Sequence, residues 1–440
     1  MTIVPIGKLS LQVNRDERQE YLEELMGAIQ ENIKWIVSRC LEEELDGEVD
    51  RLLGRKAYER RKHGKKHKTK VRCSKCLRHE SERFRRNGHY RRGLNTRRGR
   101  LYLEVPQVKC VCGGNVRLSF LAFRPGQRMW DDVGIEVRLE YGRGASYRQI
   151  KREWDEILGQ SVGLRTLNQR VLASVPGGTI LQRLKKEDIP PVVRVDGIWI
   201  TVMFPTGETT KDRSGRVRPV KKAKKVPILA AQGVWPASGR TVLLAWMLAS
   251  GEDHDSWVIF LERLYEMGIA PENGLALLVS DGGTGFRSAY ESRYWMVPLQ
   301  RCIFHKLQNV AKAIHTPTSL DRQTAHEFRT HFLRQAGQIW QADDETEARL
   351  RYQAFCQEWQ VRQPKAIETL SRDFDQTLTF FAVQQQAAAR GETWPAHILR
   401  TTSPLERMFR EFRRRYRNAI LFSSPVGAIA TTAQIAARFS

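Results

Sequence analysis

VVRVDGIWITVMF (residues 192–204) is the stretch from which the fold of this 440-residue chain is read. Its apolar residues run almost unbroken, as in a strand of a buried sheet, and Asp196 interrupts them. A carboxylate there costs free energy unless it is paired, hydrogen-bonded or bound to a cation. Downstream, VPILAAQGVW (226–235) and GRTVLLAWMLA (239–249) are two more strand patterns, the first preceded by a polar, basic hairpin, TGETTKDRSGRVRPVKKAKK. HDSWVIFLERLYEMGI (254–269) reads as a helix with Trp257, Phe260, Leu261 and Leu264 on its buried face. LALLVSDGG (275–283) is a short apolar strand ending in an acid and two glycines. GFRSAYES (285–292) reads as a brief helix, VPLQRCIFH (297–305) as a strand and KLQNVAKAIH (306–315) as a helix. Three antiparallel strands, a helix, then strands alternating with helices predict an α/β core.

The acids give that core its chemistry. Asp281 stands just past the 275–280 strand, where Gly282 and Gly283 let a backbone or a phosphate approach. If the two strands are neighbours, Asp196 and Asp281 reach one cleft; each alone serves equally well as a strand-end acid capping the next helix. Carboxylates gathered in one cleft repel and call for divalent cations, and oxygen donors suit magnesium or manganese.

The bulk composition agrees with a nucleic-acid partner. Lys plus Arg outnumber Asp plus Glu by 73 to 49, a net charge of +24 with a pI near 10. Such a surface attracts polyanions, although charge fixes only the partner's sign. No apolar run approaches the roughly 18 residues that span a bilayer. The first residues lack the pattern of a secretory signal, so no membrane partner and a cytoplasmic location are expected. Seven cysteines, an odd number, argue against a disulfide framework.

Four regions precede or interrupt the core. Within 1–53, residues 15 to 53 read as a helix whose Leu22, Leu25, Met26, Ile29, Ile33 and Ile36 form one apolar stripe, docked on its own protein or on a second copy. Residues 54–125 form a basic module: between Arg55 and Arg100 there are 20 Lys or Arg against three acids. In it Cys73-Ser-Lys-Cys76 and Cys110-Val-Cys112 are two knuckle-like pairs, suited to the four-sulfur shell of zinc. The second pair has one spacer where two are usual, so His79 or His89 stands as a replacement ligand. The alternating strands and Gly or Asn turns between the pairs make the module zinc-ribbon-like and DNA-binding. Residues 126–189 carry a helix-turn-helix rhythm: SYRQIKREWDEIL, a break at Gly159 to Gly163, then LRTLNQRVLASV. Arg165, Asn168, Gln169 and Arg170 on the second helix are side chains that read bases or phosphates.

VRVDGIWI, VSDGGTGFRSAY, QRCIFHKLQNV and TTSPLERMFREFRRRYRNAILFSSP, in this order, resemble the Mutator-type DDE transposases of bacterial insertion sequences, in the RNase H-like superfamily. The resemblance spans roughly 190–440. It implies an RNase H-like catalytic core in two parts, 190–308 and 401–440, with Asp196, Asp281 and Glu406 as the catalytic, Mg²⁺- or Mn²⁺-binding triad. It also implies that Cys302 and His305 are the family's Cys-x-x-His signature beside the active site. Glu406 falls in the first turn of a helix opened by Thr401, Thr402, Ser403 and Pro404, with Arg410, Arg413 and Arg414 one and two turns on to meet phosphates. The rival readings there are Glu406 paired to Arg410, and Glu411 as the ligand. Residues 309–400 match the all-helical insertion of many members. Trp340, Trp359, Phe380, Phe381 and Trp394 are expected in its core, with stacking on a DNA base as the alternative.

The expected protein is therefore a DNA transposase that binds the terminal inverted repeats of a mobile element, cuts with bound metal and joins the freed 3′-OH to target DNA. A homodimer or larger assembly on DNA in a bacterial nucleoid is the expected setting. Two alternatives stay open at this stage: a catalytically silent DNA-binding descendant, and a nuclease that cuts without joining.

Overall fold

The computed structural model describes residues 15–59, 69–124, 126–158, 162–173, 184–317 and 321–439, and the chain divides into two units, each described by itself, within residues 141–172. Residues 60–68 of the basic run, 159–161 of the helix-turn-helix linker and 174–183 lie outside the described residues.

In the first unit, helix α1 (Arg15–Leu53) precedes a three-stranded antiparallel sheet of β1 (Phe84–Thr96), β2 (Gly99–Cys110) and β3 (Asn115–Val116). A helix of 39 residues is about 58 Å long, which is more than strands of 12 or 13 residues can cover. Its last turns do the packing: Leu45 joins Leu94, Leu101, Leu103 and Val105, while Val49 and Leu53 join Cys73, Phe84 and Val108. The stripe read from the sequence lies on the other half. Leu22, Met26, Ile29 and Ile36 are 44%, 53%, 41% and 52% exposed, while Leu25 and Ile33 are partly covered. Periodicity located an apolar face, and the length of the sheet decided which part of it is covered. Helices α2 (Asp131–Arg143), α3 (Tyr147–Leu158) and α4 (Leu164–Leu172) follow, with Ile150, Trp154, Leu167 and Val171 buried.

The second unit is built on a five-stranded sheet: β4 (Val192–Lys211), β5 (Val217–Trp235), β6 (Arg240–Leu248), β7 (Leu277–Ser280) and β8 (Leu299–Arg301), in the order β6-β5-β4-β7-β8. The first three pair antiparallel; β7 and β8 join parallel beside β4. Helices α5 (His254–Glu266) and α6 (Thr284–Arg293) cover one face over Val193, Val195, Leu229 and Leu278.

Helix α7 (Ile303–Ala313) leads into α8 (Arg322–Gln338), α9 (Glu345–Trp359), α10 (Pro364–Ser371), α11 (Thr379–Ala389) and α12 (Ala396–Leu399). These helices share a core holding Phe332, Trp340, Phe355, Trp359, Phe380 and Trp394. Each indole N–H there is satisfied within the protein: Trp340 donates to Thr377, Trp359 to Gln335 and Trp394 to Glu392. Buried and bonded, these rings are core, and the stacking alternative falls away. Helices α13 (Ser403–Ala419) and α14 (Pro425–Ala436) cover the opposite face, with Leu405, Phe409 and Phe412 on Ile198, Ile200 and Val226.

Two boundaries differ from the sequence reading. The strands flanking the basic hairpin are longer than read: β4 and β5 run on through it, paired from Val192↔Val234 to Lys211↔Val217. The stretch 297–305 is strand only over Leu299–Arg301. The Cys302 amide donates to Ser280 O and its carbonyl accepts from Lys306, so a helix begins at Ile303. The apolar run of Cys302, Ile303 and Phe304 is as good at a helix start as in a strand.

The division of labour along α1 is measurable. Leu45→Ala should cost about 2–5 kcal/mol in chemical denaturation, whereas Ile36→Ala should stay within about 0.5 kcal/mol in dilute protein.

Candidate active site

The parallel ladder between β4 and β7 ends at Arg194↔Val279. Asp196 and Asp281 each stand two residues beyond that pair, so both strands deliver an acid to the same edge of the sheet. Asp196 is buried, 8% exposed, and its Oδ1 accepts from the Gly197 amide at 2.8 Å. Asp281 is partly exposed; its Oδ1 accepts from the Gly283 amide at 2.9 Å, just before α6.

Glu406 arrives from α13, in the first turn as its helix-start residues require. Its partner is neither Arg410 nor a water-facing Arg: His305 Nε2 lies 2.8 Å from Glu406 Oε1. Glu411 is engaged with Arg414 and Arg438 instead. One donor atom each of Asp196, His305 and Glu406 lies within 4.8 Å of the others, a group able to hold a metal ion. Asp281 stands outside that group, close enough for its charge to act on Asp196.

A latch of hydrogen bonds sets this geometry. Fully buried Arg194 donates to Gln232 Oε1 at 3.1 Å and to the Ile398 carbonyl at 2.5 Å. The Ile303 amide donates to Arg400 O at 3.0 Å, and Arg400 reaches back to Trp340 O at 2.7 Å. The Thr402 amide and hydroxyl both approach Cys302 Sγ, at 3.3 and 3.4 Å, and the same hydroxyl lies 3.4 Å from His305 Nδ1. Cys302 is fully buried and serves as an acceptor.

Burial, reinforced by Asp281 and Glu406, pushes the Asp196 carboxyl up to about 7. Burial pulls the His305 imidazole down, but the Cys302 sulfur and the two carboxylates outweigh it and raise it to about 9. His305 thus supplies positive charge to a site with an excess of acids. Asp196 and Glu406, with Asp281 close by, supply oxygen donors with the chemistry of a divalent-cation site.

Three neighbours were not singled out from the sequence. Glu252 is partly buried, raised by that burial and by Asp281, and a Cβ on Gly197 would lie 2.2 Å from its Oε1. Arg301 is 7% exposed and close to Asp281, its Nε and Nη1 without a partner among the described residues. Gly282, at φ +75°, makes room for it: a Cβ there would lie 2.0 Å from Arg301 Nη1. Thr402, read from the sequence only as a helix-start residue, is the third. Only the glycines in VRVDGIWI and VSDGG hinted at these close approaches.

In the first unit, Cys73, Cys76, Cys110 and Cys112 bring their sulfurs within 4.8 Å of one another. Leu77, at φ +57°, turns the first knuckle, and its amide donates to Cys73 O at 3.0 Å. Gly113, at φ +81°, turns the second, which is how one spacer suffices. Amides of Cys76 and Lys75 aimed at Cys73 Sγ hold its thiol down to about 6. Neither histidine replaces a thiol: His89 pairs with Asp46, and His79 is not of the group. On α4, Arg165 and Gln169 are exposed and Arg170 is partly so, while Asn168 is turned inward and donates to Tyr147 Oη at 3.2 Å. On α13, Arg410, Arg413 and Arg414 are exposed. Among the described residues no helix is long and apolar enough to cross a membrane.

A family model described as transposase, Mutator family, matches residues 9–437. The chain is 28% identical over 347 residues to the transposase for insertion sequence element IS406 of Burkholderia multivorans, covering 79% of each. It is 27% identical to that for ISRM5 of Rhizobium meliloti, over 75% of this chain and 72% of the relative. It is 25% identical to that for IS256 in transposon Tn4001 of Staphylococcus aureus, over 81% and 82%. A solved Drosophila P element transposase strand transfer complex aligns with a TM-score of 0.42 at 12% identity, over 73% of this chain and 92% of that one.

The buried charge of Asp196 works against the fold. Asp196→Asn, which keeps the shape and removes the buried charge, should raise the melting temperature in chelator-treated buffer at pH 8, by the equivalent of about 1–3 kcal/mol. Adding a divalent cation should raise the melting temperature of the parent chain and leave the variant's unchanged.

Proposed function

We propose that this chain, which belongs to the Mutator family of transposases, cuts DNA at the ends of a mobile element and joins the freed 3′-hydroxyls to target DNA at the Asp196–Asp281–Glu406 cleft. The observation that carries the reading is the convergence of Asp196 and Glu406, with His305, from stretches far apart in the chain. Asp281 is delivered to the same sheet edge. The sheet order β6-β5-β4-β7-β8, with three antiparallel strands followed by two parallel ones, supports an RNase H-like core interrupted by the helical segment α8–α12.

In this reading the three carboxylates hold magnesium or manganese. When bound, the ions stabilise the attacking and leaving oxygens of in-line phosphoryl displacement. The rest falls to the chain's own groups. His305 holds Glu406 in place through Nε2, and Thr402 fixes the ring from the other nitrogen. The exposed arginines of α13 bind the DNA backbone beside the cleft. Hydrolysis breaks one phosphodiester and leaves a 3′-hydroxyl; that hydroxyl then displaces another 3′ oxygen at phosphorus. One phosphodiester forms as one breaks, so joining needs no outside energy source.

The four thiols are suited to zinc, which would lock the two knuckles and the small sheet into one DNA-binding module. Arg165, Gln169 and Arg170 are the proposed contacts of α4; Asn168, spent on Tyr147, contributes to the fold of that helix pair. Coordinated cutting requires both element ends in one complex, so a homodimer or larger assembly on DNA belongs to the proposal.

Incubated with manganese and a duplex carrying the inverted repeats that flank the gene, the protein should yield both cleaved and joined products. Asp196→Asn, Asp281→Asn and Glu406→Gln should each lower cleavage by about a thousandfold, the equivalent of about 4 kcal/mol, while leaving the gel shift intact. Cleavage without joining would mark a nuclease, and a bare shift a silent binder. Cys110→Ser should separately abolish a stoichiometric zinc content, read by elemental analysis of the purified chain.

A further inference from the structure

We infer that the outer part of the β4–β5 ribbon, residues 205–225, is an arm that grips the phosphate backbone of duplex DNA without reading its sequence. The inference rests on the transposase reading for the identity of the polyanion and extends it to a surface that reading does not use.

Inward of Met203↔Ala223 the two strands are part of the sheet core, with Val202, Val226 and Ile228 buried. Outward of it nothing is fully buried: among residues 205–225 only Asp212 and Val220 are even partly covered, and Val217 is 62% exposed. An isolated two-stranded ribbon is marginal in water, so a segment of this length with no apolar face adds nothing evident to the stability of the core. It is nonetheless well formed. The pairing resumes past an irregularity between Pro205 and Thr209 and runs to Lys211↔Val217. Asp212 builds the tip, accepting from the Ser214 and Arg216 amides and from the Ser214 hydroxyl. The root is fastened too: Met203 and Thr201 exchange backbone hydrogen bonds with Phe422, and Lys221 Nζ donates to Ser423 O at 2.6 Å.

The chemistry of the ribbon is nearly uniform. It carries eight Lys or Arg against Glu208 and Asp212, and only Arg218 is in an ion pair, with Asp212, among the described residues. Neighbouring strand residues point to opposite faces, so Lys221 with Lys222, and Lys224 with Lys225, make both faces cationic. Asn and Gln, which read adenine, are absent from it. Flexible cations together with Thr206, Thr209 and Thr210 suit phosphate oxygens. At its root, Lys225 lines a cavity with Arg413 and Arg417 of α13, so the cations of the arm continue those of the helix that carries Glu406. Edge strands often carry lysines simply to discourage strand-to-strand aggregation; that role needs charge, and no polyanion.

The test is the salt dependence of duplex binding, followed by anisotropy of a labelled duplex of arbitrary sequence with the full-length chain. The variant combining Lys211→Ser, Arg213→Ser, Arg216→Ser and Arg218→Ser should keep its melting temperature. It should lose about 3–4 from the slope of log K against log salt, close to 0.9 for each phosphate contact removed. The affinity lost between 50 and 200 mM salt should accordingly shrink by roughly a hundredfold. A charge-conserving variant, Arg213→Lys with Arg216→Lys and Arg218→Lys, should retain the parent slope. Lys222→Ser with Lys224→Ser provides an independent pair nearer the root, with a loss of about 2. Unchanged slopes in the folded neutral variants would overturn the arm and leave edge protection as the role of these lysines. Strand cleavage by the parent chain, scored in parallel, tests the transposase reading separately, because the slope is read whether or not the DNA is cut.

Discussion

The cleft depends on one polar latch. Residues 398–402 are held to β4 and the start of α7 by Arg194, Ile303 and Cys302, and Arg194 reaches 204 residues along the sequence to do it. Helix α13 starts immediately afterwards, so the latch sets where Glu406 enters. The apolar packing of Leu405, Phe409 and Phe412 holds α13 against the sheet, but such contacts are non-directional. Register comes from the hydrogen bonds. Arg194 illustrates the strength of the constraint: burial draws its guanidinium down to about 10, a cost the chain bears for a carbonyl and an amide oxygen.

The same cleft works against stability. Three carboxylates converge near one another, and the most buried, Asp196, is pushed far above its ordinary range. His305 is the internal counterweight, held charged by the groups it faces. Arg301, close to Asp281 with two nitrogens unpaired among the described residues, is another buried charge left short of partners. Several strained electrostatic positions around one sheet edge, within a well-packed fold, support the active site proposed there.

Much of this was legible in the chain itself. An acid breaking the apolar run of 192–204, and another ending 275–280 before two glycines, mark strand positions that a stability argument disfavours. Parallel neighbours then put them on one edge. The knuckles were legible for a different reason: thiols two or three residues apart converge by local turn geometry, whatever the rest of the chain does. What periodicity could not supply was the partner of each face. The stripe of Leu22 to Ile36 was visible, but not that the covered turns would be those of Leu45 and Val49. His305 was placed near the cleft by resemblance alone, and its contact with Glu406 spans about a hundred residues that no local pattern connects. Glu252 and Arg301 were invisible because a lone polar residue carries no period, and Thr402 was legible only as a helix opener. The basic hairpin was legible as a hairpin, but its flanking strands were ended at Phe204 and resumed at Val226, because alternation of apolar and polar residues is absent where neither face is buried, although the backbone pairing persists.

That last failure bears on how the two halves of the second unit divide their work. Near Asp196, β4 and β5 are buried on both faces, and nearly every side chain is committed to packing. Beyond Phe204 the same two strands bury no side chain fully, and Lys221 and Lys225 near the root are what touches the rest of the protein. Backbone pairing alone would not select for eight cations over two acids, since threonine or valine forms ribbons better than lysine does. Core packing does not select for them either, because no core is there. The composition must therefore answer to something outside the chain, and in a transposase whose net charge is +24 the nearest candidate is the polyanion it moves.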